Sequence, residues 1–173
     1  MNVKSLTEAQ LVQHLDAFAR QLGLTVIGTE VKIGAYRLDA VAHDPSGSLV
    51  VIELKANASV TALSQLLLYP HALQKALSKV GVEPPPIRSI LITTHLDRCL
   101  VEVARDLAAS RHIEAWVAIS PAPGSIALAA PESAGDQAWD QSEQGTQCLE
   151  SVLSFLGAGP NSSSKPTPLR GAA

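Results

Sequence analysis

Residues 36–55 read YRLDAVAHDPSGSLVVIELK. Two β-forming runs flank Asp44-Pro45-Ser46-Gly47, which has Asp first, Pro second and Gly fourth, the signature of a type I turn. With its glycine left-handed, such a turn closes a three-residue hairpin loop with a bulge. The spacing therefore predicts a hairpin of strands 36–43 and 49–55. In that register Asp44 faces Ser48, and five residues further back on each strand Asp39 lies opposite Glu53. Glu53 and Lys55 are two apart and so project from the same face of their strand. Asp39 joins them, with Cβ atoms on the order of 5 Å from those of its partner.

Two carboxylates facing each other in a sheet repel. A divalent cation reverses that sign, because the ion becomes the largest local charge and each carboxylate a ligand. Magnesium suits the pair: it takes oxygen ligands, commonly one or two carboxylates, and completes its octahedron with water and phosphate. Lys55 beside such an ion can hold or deprotonate an attacking water and balance charge developing on phosphorus. The apolar run Leu49-Val50-Val51-Ile52 makes Glu53 and Lys55 polar intrusions on a strand that otherwise favours burial. The plain alternative is an ion pair at the end of an exposed strand.

Outward from the hairpin, Ser5–Leu22 reads as one amphipathic helix, with Leu11, Leu15, Phe18 and Leu22 at helical spacing. Ser5 followed by Glu8 fits a capping box, and Gly23 supplies the stop. Thr25–Ile33 is a first strand. After the hairpin a helix is expected from about Thr61 to Lys79, interrupted or kinked at Pro70. Gln65 and Tyr69 are four apart and share a face of it with Ala62, Ala72 and Ala76. Glu83-Pro84-Pro85-Pro86 is a rigid connector.

Ser89–Thr93 (SILIT) has the continuous apolar character of a strand buried on both faces. A helix over Leu96–Arg111, a strand Ile113–Ile119 and an edge strand Ser125–Ala129 follow, the strand-helix-strand order implying a right-handed parallel crossover. The expected fold class is α/β, a mixed central sheet flanked by helices. One domain over 1–131 is expected, then a low-complexity tail over 132–173 with a short helix at Cys148–Leu156.

Composition limits the functional classes. The chain has 173 residues, 46% apolar but only 3% aromatic, and a formal net charge of −3. The summed field does not attract polyanions, so a nucleic-acid site must be a local basic patch or depend on metal. No GxxxxGK[ST] or GxGxxG motif occurs, which removes nucleotide hydrolysis and dinucleotide binding. His43, His71, His95 and His112 lack zinc-ligand spacing, and Cys99 and Cys148 read as free thiols. No signal peptide or membrane-length apolar run is present, so a cytoplasmic protein without membrane attachment is expected.

Taken together, Asp39, Glu53-Leu54-Lys55 and Gln65-x-x-x-Tyr69 resemble the D…ExK…QxxxY signature of RecB-like nucleases in the PD-(D/E)xK superfamily. The chain is similar to the nuclease domain of the endonuclease NucS family. The similarity runs through LTEAQL (6–11), residues 27–59, SQLLLYPHAL (64–73) and PPIRSILITTHLD (85–97). It implies a restriction-endonuclease-like fold that cleaves DNA phosphodiesters with Mg2+ or Mn2+. By matching position, Asp39 and Glu53 would hold the metal and Lys55 would be the catalytic lysine. Gln65 and Tyr69 would support the site or touch substrate phosphate, and Glu8 matches an acidic residue near the metal. For Glu8 the helix-cap reading stands equally, and Glu30 is a second upstream acid.

Arg37 should share the face of Asp39, where it can meet a phosphate. Such a family also carries a DNA-binding domain ahead of the nuclease, so either a second copy or a separate DNA-binding protein is expected as partner, with DNA as substrate. A non-catalytic DNA- or protein-binding module, and a nuclease acting on RNA or branched junctions, are the alternatives.

Overall fold

The computed structural model describes residues 6–96, Leu100, Glu102, Val103, Asp106, 113–120 and 125–131. Chain order is α1 (Glu8–Gln13), α2 (Leu15–Gln21), β1 (Thr25–Ile33), β2 (Tyr36–His43), β3 (Leu49–Asn57), α3 (Val60–Lys79), β4 (Ile87–His95), β5 (Ile113–Ile119) and β6 (Ala127–Ala129). The six strands form one mixed sheet in sequential order, β1 to β6. β1–β2, β2–β3 and β5–β6 pair antiparallel, whereas β3–β4 and β4–β5 are parallel. This is the α/β mixed sheet with flanking helices expected from the strand pattern.

The hairpin closes as its turn residues dictate. The Gly47 N–H donates to the Asp44 carbonyl at 3.0 Å, and Gly47 sits at φ 87, where a side chain would be strained. Asp44 Oδ1 accepts the amides of Ser46 and Ser48 at 2.9 and 3.0 Å. The bond from the Ser46 hydroxyl, against some desolvation, helps hold the Asp44 carboxyl below its ordinary value. The ladder then runs His43↔Leu49 to Ala40↔Ile52.

The sheet has helices on both faces. Leu11, Leu15 and Phe18 pack on the face carrying Ala40, Ala42, Val50, Ile52, Leu54, Ile90 and Ile92. On the other face, Ala62, Leu63 and Leu66 of α3 meet Leu91, Ile113 and Val117. Further along α3, Tyr69 and Leu73 cover Leu38, Val41 and Val51. Alternation along β3 thus sends odd-numbered residues toward α3.

Three local expectations change. The capping box is formed by Thr7 and Gln10: Gln10 N–H donates to Thr7 Oγ1 at 3.3 Å, and the Thr7 amide to Gln10 Oε1 at 2.9 Å. Thr7 and Gln10 meet the same spacing rule as Ser5 and Glu8, and they lie one turn before the first buried residue, Leu11. Glu8 is therefore the first helical residue and takes no part in the box; Ser5 lies outside the described residues. The N-terminal helix is also two helices, because His14 leaves helical geometry at φ −100, ψ 4 and its amide is shared between the Gln10 and Leu11 carbonyls.

Pro70, finally, does not interrupt α3, which spans 20 residues through it. A proline at 70 withholds the N–H that the Leu66 carbonyl would accept. The buried Ser89 hydroxyl from β4 donates to that carbonyl instead, at 3.0 Å.

β3 extends to Asn57, two residues beyond the expected end, and the edge strand is confined to Ala127–Ala129. Of the helix expected over 96–111, Leu100, Glu102, Val103 and Asp106 are helical, and Leu96 precedes it. Cys99, Cys148, Trp139, the tail over 132–173 and its helix at 148–156 lie outside the described residues. No helix among the described residues is long and apolar enough to cross a membrane.

Candidate active site

Asp39 and Glu53 meet where the hairpin opens. The paired register ends at Ala40↔Ile52, so Asp39 and Glu53 are the next positions along. There the side chain of Asp39 replaces the backbone: its Oδ2 accepts the Leu54 N–H at 2.8 Å. Its carboxylate is thereby fixed over the residue that lies between Glu53 and Lys55. The charge of Asp39 acts on both neighbours, raising each.

Glu53 is 1% exposed. Its Oε1 lies 2.9 Å from Lys55 Nζ, while Oε2 is buried with no hydrogen-bond partner among the described residues. Burial pushes the Glu53 carboxyl above its ordinary value; the Lys55 bond opposes this, and the charges of Asp39 and Glu8 add to it. Burial alone would lower the Lys55 ammonium. Its bond to Glu53, with the charges of Glu53, Asp39 and Glu8, outweighs burial and raises it, so Lys55 is cationic at neutral pH.

α3 supplies the wall of the site. Gln65 Nε2 donates to the Tyr69 hydroxyl at 2.7 Å, one helical turn along. Gln65 Oε1 is a second buried oxygen without a partner among the described residues. Tyr69 is buried, and the Tyr36 ring meets it edge-on at 5.9 Å between centroids. Burial and then the nearby Glu53 charge raise the Tyr69 phenol. Asp39, Glu53, Lys55, Gln65 and Tyr69 are therefore one cluster. Glu8, exposed at the start of α1, reaches it through its charge.

Arg37 lies elsewhere. It forms an exposed ion pair with Glu30, which adopts a left-handed φ of 50. Leu38 and Ala40 are two apart yet pack into clusters on opposite faces of the sheet, so strand alternation breaks at Asp39 and the same-face rule does not carry Arg37 into the site. Ser89 is the residue that sequence reasoning passed over. Its signal was a hydroxyl at the head of the apolar run Ser89–Ile92, opposite a helix containing proline.

Do these residues suit a divalent metal? The donors are hard carboxylate oxygens, the kind that Mg2+ and Mn2+ select. One of them, Glu53 Oε2, is buried without a partner, a state that costs about 1–3 kcal/mol or more for a charged group. Asp39 keeps the oxygen not bonded to Leu54. Among the described residues no three His, Cys, Asp or Glu side chains converge as a metal-binding group. A cation would therefore have two carboxylates, and water or substrate oxygen would complete its shell.

Among solved structures, a repair endonuclease from Pyrococcus abyssi superposes with a TM-score of 0.52 at 22% identity, covering 70% of this chain and 50% of that one. The chain has that endonuclease's fold. It is the restriction-endonuclease-like architecture implied by the sequence resemblance, and the chain spans about half the length of that neighbour. EndoMS in a complex with double-stranded DNA aligns at 23% identity over 64% of this chain and 44% of that one, with a TM-score of 0.47. EndoMS in its apo form aligns at 22% identity over 69% and 49%, also with a TM-score of 0.47. No family model and no curated protein matches the chain.

Proposed function

We propose that the chain is a divalent-cation-dependent DNA endonuclease, hydrolysing phosphodiester bonds in DNA repair or processing. The observation that carries this reading is the unpartnered Glu53 Oε2, buried beside Asp39 and Lys55 at the opened end of a hairpin. A fold shared with a repair endonuclease supports the same chemistry.

Asp39 and Glu53 would hold Mg2+ or Mn2+, which when bound supplies Lewis acidity toward phosphate and lowers the pKa of water. The protein's own groups do the remaining work. Asp39 is locked by the Leu54 amide, so its free oxygen has a fixed direction. Lys55 stays protonated and stabilises negative charge as it grows on the phosphate oxygens, in a site where burial strengthens each interaction. Tyr69, whose oxygen accepts from Gln65, keeps its hydroxyl proton and can donate it to a phosphate oxygen. Glu8 adds negative charge that favours a cation. Arg37, tied to Glu30 outside the cluster, contributes at most to DNA backbone contact.

A formal charge of −3 is unlike a self-sufficient DNA binder and favours a second reading, a binding module that does not cut. A cleavage panel separates the two: single-stranded, duplex, flap and mismatched DNA, and RNA, each with Mg2+, Mn2+ or chelator. The nuclease reading predicts cutting of at least one DNA with Mg2+ or Mn2+ and none with chelator. Cutting that survives chelator, or DNA binding without cutting under every cation, would refute it.

A further inference from the structure

Pro70 leaves a gap in α3 at the turn that carries Gln65 and Tyr69. The gap is the Leu66 carbonyl, which loses its helical donor. Both Leu66 and Ser89 are buried, at 0% and 1% exposure, so water cannot fill the vacancy. The Ser89 hydroxyl does so at 3.0 Å. Ser89 pairs with Val51 in the parallel β3–β4 register, and Val51 packs in the same cluster as Tyr69. Glu53 lies two residues further along that strand, on the face turned to α3.

We propose that Ser89 is a positioning residue: its hydroxyl replaces the hydrogen bond that Pro70 removes, and so fixes the Gln65–Tyr69 turn over Glu53. The inference rests on the nuclease reading above for its effect on turnover, though not for its effect on Tyr69. A helix turn missing one hydrogen bond opens at low cost, and Tyr69 sits on that turn. Without the Ser89 bond, the Tyr69 hydroxyl and the Gln65 amide lose their fixed distance from the carboxylates.

Four proteins test this: the parent, Ser89→Ala, Pro70→Ala and the double variant. Each is also made with Tyr36→Phe, which leaves Tyr69 as the remaining one of the chain's two tyrosines. Nitration by tetranitromethane reads the exposure of Tyr69, and single-turnover and steady-state cleavage of DNA read kcat and KM, all well below melting. Ser89→Ala is expected to nitrate several-fold faster and to lower kcat about tenfold with KM unchanged. In the Pro70→Ala background, where an amide again serves Leu66, Ser89→Ala should change neither readout.

A role in stability alone predicts a lower melting temperature with both readouts unmoved, and that result overturns the proposal. So does an equal loss with either residue at position 70. Should Ser89→Ala fail to fold, the same two readouts are taken on Ser89→Cys, whose thiol is a weaker donor to the Leu66 carbonyl: faster nitration with lower kcat upholds the proposal, and parent values of both overturn it. If the parent cuts no DNA with any cation, the nuclease reading falls, and nitration alone still upholds or overturns the role of Ser89.

Discussion

Asp39 reaches past the end of its own ladder to take the amide of Leu54, the residue between Glu53 and Lys55. One hydrogen bond at 2.8 Å thus ties the two strands of the site together where backbone pairing stops. It also separates two roles of Asp39, structural through Oδ2 and ionic through its charge, and substitutions can address them one at a time.

Asp39→Asn keeps an oxygen for the Leu54 amide and removes the charge. It should melt near the parent temperature yet bind no Mn2+ and cut no DNA. Asp39→Ala loses both roles, and leaving the part-buried amide unpaired should cost about 1–2 kcal/mol in denaturant titration. Equal stability of the two variants would show that the Leu54 bond contributes nothing.

Lys55→Met should lower turnover by roughly 10²-fold or more, the scale on which losing one preorganised charge-stabilising donor acts. Lys55→Arg should not restore it, because a planar guanidinium cannot take the place of a point ammonium on Glu53 Oε1. Since Lys55 is raised above its ordinary value, parent turnover should show no decline from lysine deprotonation across pH 7–9.

The elevated Glu53 carboxyl gives the metal-free protein a pH dependence of stability. The folded state holds the Glu53 proton more tightly than the unfolded chain, whose value is about the ordinary 4.5. The resulting stabilisation is complete below 4.5 and is lost as pH rises through the higher folded value. Melting in chelator should therefore fall as pH rises above 4.5, and Glu53→Gln should flatten that slope. Saturating Mn2+ should raise melting more as pH rises and the carboxylate ionises.

Much of this site is legible in residues 36–55, because a type I turn with glycine fourth fixes strand register and register fixes which side chains oppose. Part of what escaped the sequence depends on partners remote in the chain. Pro70 reads as a helix breaker until Ser89, nineteen positions on, supplies the missing donor. Arg37 reads as a same-face neighbour of Asp39 until alternation breaks at Asp39 and Glu30 takes the guanidinium. Two capping boxes overlap in sequence, Ser5 with Glu8 and Thr7 with Gln10, and spacing alone cannot choose between them. The break at His14 has no marker among its neighbours.

The choice of cap has its own test. Thr7→Ala should cost about 1 kcal/mol of stability by removing the acceptor for the Gln10 amide, whereas Ser5→Ala should be silent. The reverse order in thermal melts would make Ser5 and Glu8 the capping pair.

Calorimetric titration of Mn2+ into chelator-stripped protein at neutral pH bears most directly on what Asp39 and Glu53 are for. A single saturable site is expected in the parent, lost in Asp39→Asn and in Glu53→Gln. Undiminished binding in either variant, or no binding heat in the parent, would contradict the account.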